Sequence, residues 1–227
     1  LSDVEERFRK RYLDLLMNTE VRARLLLRSK IIRELRGLLD AQDFIEVETP
    51  ILQPLYGGAL AEPFKTRHRR LGMEMYLRIA PELYLKKLLI GGFDKVYEIG
   101  RVFRNEGVDA SHNPEFTMLE LYESYRDAEH LKGFVTEVLS QLLRRVFKKN
   151  SFKFQGHTIK FPKKIPSVPF WSVLERHALV TKPEKLSRSE LVLRAQQLGF
   201  SPGPEESREK IANEIFSKIC RPKLIQP

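Results

Sequence analysis

Two β-prone runs, residues 95–104 and 115–125, constrain the fold of this chain more than any other feature of the sequence. A polar loop of charged and turn-forming residues, 105–114, separates them. Two such runs joined by a loop predict an antiparallel hairpin with a long, charged tip. Because side chains alternate between the two faces of a strand, five residues of the second run share one face: Phe116, Met118, Glu120, Tyr122 and Ser124.

This shared face combines an aromatic ring, a carboxylate and a phenol, which is not the composition of a protein core. A glutamate is almost never fully buried unless it is paired, so Glu120 needs a cationic partner or solvent. Arg104 ends the opposing strand at the base of the loop. An arginine beside a stackable ring such as Phe116 is a reasonable receptor for the phosphate and base of a nucleotide. The alternative is an ordinary edge hairpin that carries a surface ion pair.

Helical and strand patterns in the rest of the chain predict an α+β fold built around an antiparallel sheet. Helices are predicted from a Ser2–Glu5 capping box to Leu16, over 19–40, from Pro81 to Gly91, over 127–146 with Asp127 as N-cap, and after a second capping box at Ser187 and Glu190. Strands are predicted over 44–49 and 73–79, and a small hairpin is predicted to turn at Gln155-Gly156.

The net charge of +10 belongs entirely to the C-terminal part of the chain. Residues 1–136 contain 22 basic and 22 acidic side chains, whereas residues 137–227 contain 18 basic and 8 acidic ones. The segment 144–164 has eight Lys or Arg and no Asp or Glu. Such a block favours a surface that faces nucleic acid, because lysine and arginine gain affinity by releasing phosphate counterions. The alternative is a solvated face whose acidic partner lies elsewhere.

Several other classes of site and protein fit the sequence poorly. No apolar run approaches the roughly 18 residues of a membrane span, so we expect no membrane partner. The glycine-rich loops lack the spacing of a P-loop or of G-x-G-x-x-G, and the five histidines have no metal-ligand spacing. The single cysteine, Cys220, excludes an intramolecular disulfide and occupies an apolar helix position, which indicates packing. Glu82 by itself is typical of a helix start, where the dipole favours an acidic side chain.

Several segments resemble the class II aminoacyl-tRNA synthetases, and the lysine-specific members fit best. The segments 103–107 (FRNEG) and 112–117 (HNPEFT) resemble the second signature motif of that class, and 44–50 (FIEVETP) after a long helix resembles the first. The segments 57–59 (GGA), 63–64 (PF) and 78–85 (RIAPELYL) match the lysine-specific members, and 11–15 (RYLDL) resembles their connection from the anticodon-binding domain. The resemblance is dense from residue 7 to about 131 and thin afterwards.

The resemblance implies an ATP-binding set of five residues on this hairpin. Arg104 is implied to be the catalytic residue, since it would bind both the α-phosphate of ATP and the carboxylate of lysine. Phe116 would stack on adenine, and Glu106 would contact the amino group of the base. His112 and Asn113 would help to hold the nucleotide.

The resemblance also implies a lysine-binding set. Gly58 and Glu82 would receive the α-amino group. Glu82 is then interpreted as a residue that binds the substrate, instead of one that only interacts favourably with the helix dipole. Glu120 and Tyr122 would read the ε-ammonium group, while Arg104 would hold the carboxylate. This agrees with the strand alternation, which independently places Glu120, Tyr122 and Phe116 on one face.

The implied fold is the antiparallel sheet of a class II synthetase flanked by helices, incomplete at the C-terminus. Residues 1–18 would be a helical connector from a missing anticodon-binding domain. Residues 19–227 would be the N-terminal part of the catalytic domain, with a basic, mostly helical segment at 137–227. The implied reaction uses ATP and Mg²⁺, L-lysine and tRNA(Lys), and the implied homodimer forms through 19–49. The third signature motif and the magnesium ligands are expected beyond Pro227, so no metal ligands are expected within this chain. The implied location is the cytoplasm, or the mitochondrion if a transit peptide precedes Leu1.

Two departures and two alternatives accompany this resemblance. Arg69 replaces an asparagine that is common after the histidine at His68, and Ser111 stands where some members place an arginine on the terminal phosphate. One alternative is a synthetase-like enzyme that lysylates a protein. The other is a truncated, inactive paralogue that acts as an RNA-binding or regulatory module.

Overall fold

The computed structural model describes residues 3–109 and 112–226, and the chain divides into two compact units, 1–146 and 147–227. The elements of the first unit are α1 (Val4–Arg9), α2 (Arg11–Met17), α3 (Thr19–Asp40), β1 (Ile45–Glu46), β2 (Leu52–Gln53), β3 (Lys65–His68), β4 (Met73–Leu77), α4 (Glu82–Ile90), β5 (Lys95–Phe103), β6 (Glu115–Glu123) and α5 (Ala128–Leu142). The elements of the second are β7 (Ser151–Phe154), β8 (His157–Lys160), α6 (Phe170–Ala178), α7 (Arg188–Gln197) and α8 (Arg208–Ile215). Two π-helical turns, Leu143–Phe147 and Phe216–Cys220, and two 3-10 turns, Pro183–Lys185 and Arg221–Lys223, complete the described elements.

The predicted hairpin is the centre of the first unit. Strands β5 and β6 pair antiparallel in register from Lys95 opposite Glu123 to Phe103 opposite Glu115, and β1 joins β5 in parallel on its other side. A second sheet has the strand order β2-β4-β3 and is antiparallel throughout. Largely antiparallel sheets flanked by helices confirm the predicted α+β fold.

The two faces of the hairpin have different environments. On one face, Tyr97 of β5 packs with Leu39 and Phe44, which belong to α3 and the segment that follows it. The remaining contacts of this cluster come from α3, both strands and α5: Leu35, Ile99, Leu119, Leu121 and Phe134. Because Leu119 and Leu121 face this helical layer, the residues that alternate with them, from Phe116 to Tyr122, lie on the opposite face. The alternation predicted from the sequence is therefore confirmed.

The N-terminal region differs from the single helix that the sequence predicts. Helix α1 is capped by Asp3, whose carboxylate accepts a hydrogen bond from the backbone of Glu6, while Ser2 lies outside the described residues. Lys10 leaves the helical conformation (φ −111°, ψ 54°) and separates α1 from α2. This break lets side chains on both sides of Lys10 converge on Asp14, which is fully buried and receives hydrogen bonds from three groups: Arg7, Arg11 and Asn18.

The predicted strand at 44–49 is reduced to the two residues of β1. Val47 still donates its backbone N–H to Tyr97 O, at 2.9 Å. Thr49 instead turns inward, where its backbone N–H and its hydroxyl both donate to Oε2 of Glu98. The side chain of Glu98 thus accepts the backbone hydrogen bond that Thr49 would donate to the neighbouring strand if β1 were longer.

The second unit has its own apolar core. Helices α6, α7 and α8 enclose a fully buried cluster that includes Leu174, Leu191, Ile211 and Cys220. The packing role predicted for Cys220 is confirmed, and burial raises the pKa of its thiol. The capping box at Ser187, and the hairpin that turns before β8, also form as predicted. Within residues 3–109 and 112–226, no helix is both long and apolar enough to cross a bilayer.

Candidate active site

The tip of the β5–β6 hairpin holds an arginine over an aromatic ring. The backbone N–H of Arg104 donates to Pro114 O at 2.9 Å and closes the base of the tip. Its guanidinium carbon lies 5.2 Å from the centroid of the Phe116 ring, a cation–π distance. The Nε atom of Arg104 is buried and has no hydrogen-bond partner among the described residues. A buried donor without a partner indicates a place where an anion or polar ligand would be favourable.

These two side chains border a cavity of about 320 Å³. Its lining consists of Arg104, Glu106, Gly107, His112, Asn113, Pro114 and Phe116. The structure therefore brings all five residues of the predicted ATP-binding set around one cavity. Ser111, the second departure from the family pattern, lies outside the described residues.

His112 is oriented by a residue that the sequence reasoning did not single out. Its backbone N–H donates to Oδ1 of Asp109 at 2.9 Å, and its ring Nδ1 lies 2.8 Å from Oδ2. An Asp side chain that accepts from the backbone N–H three residues on has the spacing of a helix-type cap, and that spacing could have revealed it.

A group of acidic and phenolic side chains lies further along the same face of β6. The Tyr122 hydroxyl donates to Oε2 of Glu120 at 2.9 Å. Burial raises the pKa of the Glu120 carboxyl, and the nearby carboxylates of Glu82 and Glu98 add to that rise, while Tyr122 and Arg104 oppose it. Burial and the bond to Glu120 likewise raise the pKa of Tyr122. We call Glu82, Glu120 and Tyr122 the acidic pocket.

Gly58 lies directly against Glu82 at this pocket. Its φ of +86° is in the region that favours glycine. A Cβ atom at this position would lie 2.8 Å from Cβ of Glu82 and 3.1 Å from Cβ of Ala80. The structure thus brings together Gly58 and Glu82, which are separated by a strand pair in the sequence, and only glycine permits the approach.

Lys86 is a second residue that the sequence reasoning missed. One turn after Glu82 on α4, its Nζ contacts Oε1 of Glu82 at 2.6 Å and lies 5.7 Å from the ring centroid of Tyr122. The i, i+4 spacing of an acidic and a basic residue in a predicted helix was the available signal.

Arg78 and Glu98 form the support of the pocket, and neither was predicted to have a role. Glu98 lies directly opposite Glu120 in the β5–β6 register. Arg78 donates to Glu98 Oε1 at 2.5 Å, to Arg101 O at 2.8 Å and to both Thr49 oxygens. An arginine inside the apolar run 76–80 was the signal that could have identified it.

Two chemically distinct ends therefore lie on one face of β6. The Arg104–Phe116 end offers a cation and a ring, and the acidic pocket offers carboxylates. Four residues of strand, roughly 13 Å, separate Phe116 from Glu120. Such a surface suits a nucleotide at one end and an organic cation at the other. Within residues 3–109 and 112–226, no group of three or more His, Cys, Asp or Glu is arranged to hold a metal ion.

Comparison with known proteins identifies the family. The model of the class II tRNA synthetases (D, K and N) matches residues 3–214. Over the whole of this chain, the Lysine–tRNA ligases of Pelotomaculum thermopropionicum and Roseiflexus sp. (strain RS-1) are each 45% identical, and that of Roseiflexus castenholzii is 46% identical. The chain spans 45–46% of the length of these relatives. The chain thus belongs to the class II tRNA synthetases of the D, K and N group.

Proposed function

We propose that this chain supplies the ATP- and lysine-binding part of a lysine–tRNA ligase, which forms lysyl-adenylate and transfers the lysyl group to tRNA(Lys). The observation that supports this most directly is the acidic pocket. Glu120, Tyr122 and Glu82 lie together where burial raises the pKa of Glu120, and among the described residues Lys86 is the cation whose ammonium group lies against Glu82. A pocket of this kind gains free energy when it binds an ammonium group.

ATP is proposed to bind in the cavity at the hairpin tip. Phe116 would stack on the adenine ring, and Glu106 would accept a hydrogen bond from the exocyclic amino group. Arg104 would hold the α-phosphate, for which its buried, unpartnered Nε is suited. His112 and Asn113 would hold the nucleotide from the loop. Among the described residues, no group of three or more His, Cys, Asp or Glu is arranged to hold the Mg²⁺ ion that the family implies.

Lysine is proposed to lie along β6 between the two ends. Its ε-ammonium would contact Glu120 and Tyr122, and its α-amino group would contact Glu82 and the backbone of Gly58. The carboxylate would then point toward Arg104, whose charge already reaches Glu120. A bound lysine would share Glu82 with Lys86, which is more exposed and can move into solvent.

The arrangement would activate lysine by in-line attack. A carboxylate oxygen would attack the α-phosphorus and pyrophosphate would leave, which forms lysyl-adenylate, a mixed anhydride. A ribose hydroxyl of the terminal adenosine of the tRNA would later attack the lysyl carbonyl carbon, and AMP would leave. The protein forms no covalent bond in this scheme. Positioning two reactants in this way can lower a barrier by about 7–11 kcal/mol. Arg104 would additionally stabilise the charge that develops on the α-phosphate.

We also propose a homodimer through 19–49, located in the cytoplasm. Apolar side chains on this segment remain exposed in the single chain, among them Leu25, Leu26 and Ile45. A permanent dimer interface buries on the order of 2,000 Å² or more and is largely apolar. Sedimentation of the full-length protein at micromolar concentration tests this, since a clean monomer would contradict it.

The activity is tested by ATP–pyrophosphate exchange with the full-length protein. We expect exchange that depends on L-lysine. Glu120→Gln should reduce kcat/KM for lysine by about a hundredfold or more, because losing a buried charged partner costs about 3–5 kcal/mol and each 1.4 kcal/mol is tenfold. The KM for ATP should stay nearly unchanged. Glu205→Gln, which removes an exposed carboxylate, is the matched control.

The same assay, combined with measurements of lysyl transfer and RNA binding, separates this proposal from the two alternatives, a protein-lysylating enzyme and an inactive RNA-binding or regulatory module. Exchange followed by transfer to a protein instead of to tRNA would indicate a protein-lysylating enzyme. RNA binding without any exchange would indicate an inactive module. Wild-type lysine kinetics in Glu120→Gln would contradict the assignment of this face to lysine.

A further inference from the structure

The β7–β8 hairpin of the second unit and the segments on either side of it carry a set of lysines without acidic partners. These are Lys148, Lys149, Lys153, Lys160, Lys163 and Lys164, and in the part of the chain that the structure describes none of them forms an ion pair. The two arginines at the start of the basic block, unlike these lysines, have side-chain partners. Arg144 lies 3.4 Å from Glu137, and Arg145 donates to Gln141. Arg144 is therefore paired with a carboxylate, whereas the lysines on and beside the hairpin are not.

The register of the hairpin sorts its side chains into two unlike faces. Ser151 lies opposite Lys160 and Lys153 opposite Thr158, so one face carries two ammonium groups and two hydroxyls. The other face carries the two phenylalanines of β7 and their partners: Phe152, Phe154, His157 and Ile159. All of the groups on the first face are donors to phosphate oxygens.

The aromatic face has one anchored ring and one available ring. The Phe152 ring packs edge-on against Phe147 at 4.9 Å and Phe161 at 6.0 Å, and Nζ of Lys149 lies 5.3 Å from its centroid. Phe154, in contrast, is 60% exposed at the turn, directly opposite the exposed His157. An exposed aromatic ring is a platform on which unpaired bases stack, and proteins that bind single strands combine such rings with cationic side chains.

One edge of this hairpin is open. Gln226 covers the outer edge of β8, where its side chain donates to Thr158 O at 2.9 Å and accepts from the N–H of Lys160 at 3.0 Å. Among the described residues, β7 pairs only with β8. A chain that crosses the free edge of β7 can reach the lysine face and the Phe154 ring together.

We propose that the β7–β8 hairpin binds a single-stranded segment of RNA, with Lys153 and Lys160 on phosphates and Phe154 stacked on an unpaired base. The proposal rests on the proposed function, which requires this protein to hold an RNA substrate. Charge alone would also attract an anionic membrane. The combination of hydroxyl and ammonium donors on one face with a single exposed ring on the other favours a strand of separate phosphates and bases.

Fluorescence anisotropy with the full-length protein tests this inference, using fluorescein-labelled oligouridylate and a blunt RNA duplex of equal length as probes. Phe154→Ala should weaken oligouridylate binding about fivefold or more, since stacking contributes about 1–3 kcal/mol per base. Duplex binding should stay unchanged, and Phe154→Tyr should retain the wild-type affinity. Equal losses on both probes, or no loss on either, would overturn the stacking role.

The phosphate contacts are tested by salt dependence. The double variant Lys153→Gln/Lys160→Gln should reduce the slope of log affinity against log salt on oligouridylate by about 1.4, because each lost contact on a single strand accounts for about 0.7. The control is Lys182→Gln/Lys185→Gln, which removes two exposed charges from the same unit without touching the hairpin. Equal slopes in the two double variants would overturn the assignment.

A third measurement separates this inference from its competitors and from the proposed function. If Phe154→Ala abolishes binding to phosphatidylserine vesicles but leaves RNA binding intact, the hairpin is a membrane contact and the RNA proposal is wrong. Lysine-dependent pyrophosphate exchange needs no RNA. If exchange is present and the hairpin variants bind RNA as the wild type does, the hairpin inference is wrong and the proposed function stands. If exchange is absent, the proposed function is wrong, while the RNA-binding measurements still decide the hairpin inference.

Discussion

Arg78 and Glu98 form an ion pair at 2.5 Å in which both residues are removed from solvent, with exposures of 1% and 3%. The pair lies on the same face of the sheet as Glu120, since Glu98 is the direct cross-strand neighbour of Glu120. Like charges directly opposite one another destabilise a sheet. Arg78 offsets this by pairing with Glu98, which allows a second carboxylate at position 120. Gly100 completes the arrangement, because a Cβ there would collide with the guanidinium of Arg78.

Breaking this pair should destabilise the first unit strongly. Glu98→Gln leaves the buried Arg78 charge uncompensated, which costs about 3–5 kcal/mol. Denaturant unfolding of the purified protein measures this loss. The matched control is Glu137→Gln, which breaks the exposed pair with Arg144 and should cost about 1 kcal/mol or less. Similar losses for the two variants would show that the buried pair has no special structural role.

Lysine binding should depend on pH through Glu120. Its folded pKa is raised above 4.5 by burial and by the Glu82 and Glu98 carboxylates. Because a cationic ligand binds the ionised form, lysine affinity should increase as pH rises through this raised pKa and level off above it. Binding should also release protons, since the ammonium lowers the pKa of the carboxyl. Calorimetry in buffers of different ionisation enthalpy measures both effects, and Glu120→Gln should lack them. A pH profile that is the same in both proteins would argue against this carboxyl.

Gly58→Ala should weaken lysine use while ATP use is retained. The new methyl group would meet Cβ of Glu82, and the left-handed backbone adds a cost of about 1–3 kcal/mol. Gly72→Ala is the control, because Gly72 also has a positive φ, +66°, but no atom within 4 Å of the added Cβ. Exchange kinetics with each substrate varied should show a raised KM for lysine only in Gly58→Ala. An equal effect of the two substitutions would assign the loss to backbone strain.

The connection between α1 and α2 should be acid-sensitive through Asp14. Burial alone would raise the pKa of this carboxyl, but hydrogen bonds from Asn18, Arg7 and Arg11 outweigh it and lower the pKa below 3.8. The stabilisation is therefore present above the unfolded value and is lost as pH falls through the folded pKa. Asp14→Asn should increase amide exchange across α1 and α2 at neutral pH. Glu5→Gln, which breaks only the exposed pair with Arg9, should leave that exchange nearly unchanged.

Some of the site could be predicted from the sequence because it depends on local geometry. The strand period of two placed Phe116, Glu120 and Tyr122 on one face, and the structure confirms this arrangement. The capping residue Asp127 and the box at Ser187 also depend only on neighbours along the chain. Other roles, such as the implied binding of the lysine α-amino group by Glu82, came from the resemblance of motifs and could not have been predicted from strand or helix periodicity.

The tertiary structure decided the contacts between segments that are distant in the chain. The approach of Gly58 to Glu82 and the burial of Arg78 against Glu98 both depend on which segments pack together. A charged residue within an apolar run can be solvated or buried with a partner, and the free energy that decides between them comes from desolvation and pairing in three dimensions. The sequence by itself determined the β5–β6 hairpin, the helices α3 and α5 and the faces they present, since those follow from short-range sterics and periodicity. Only the fold determined which charges on those faces meet.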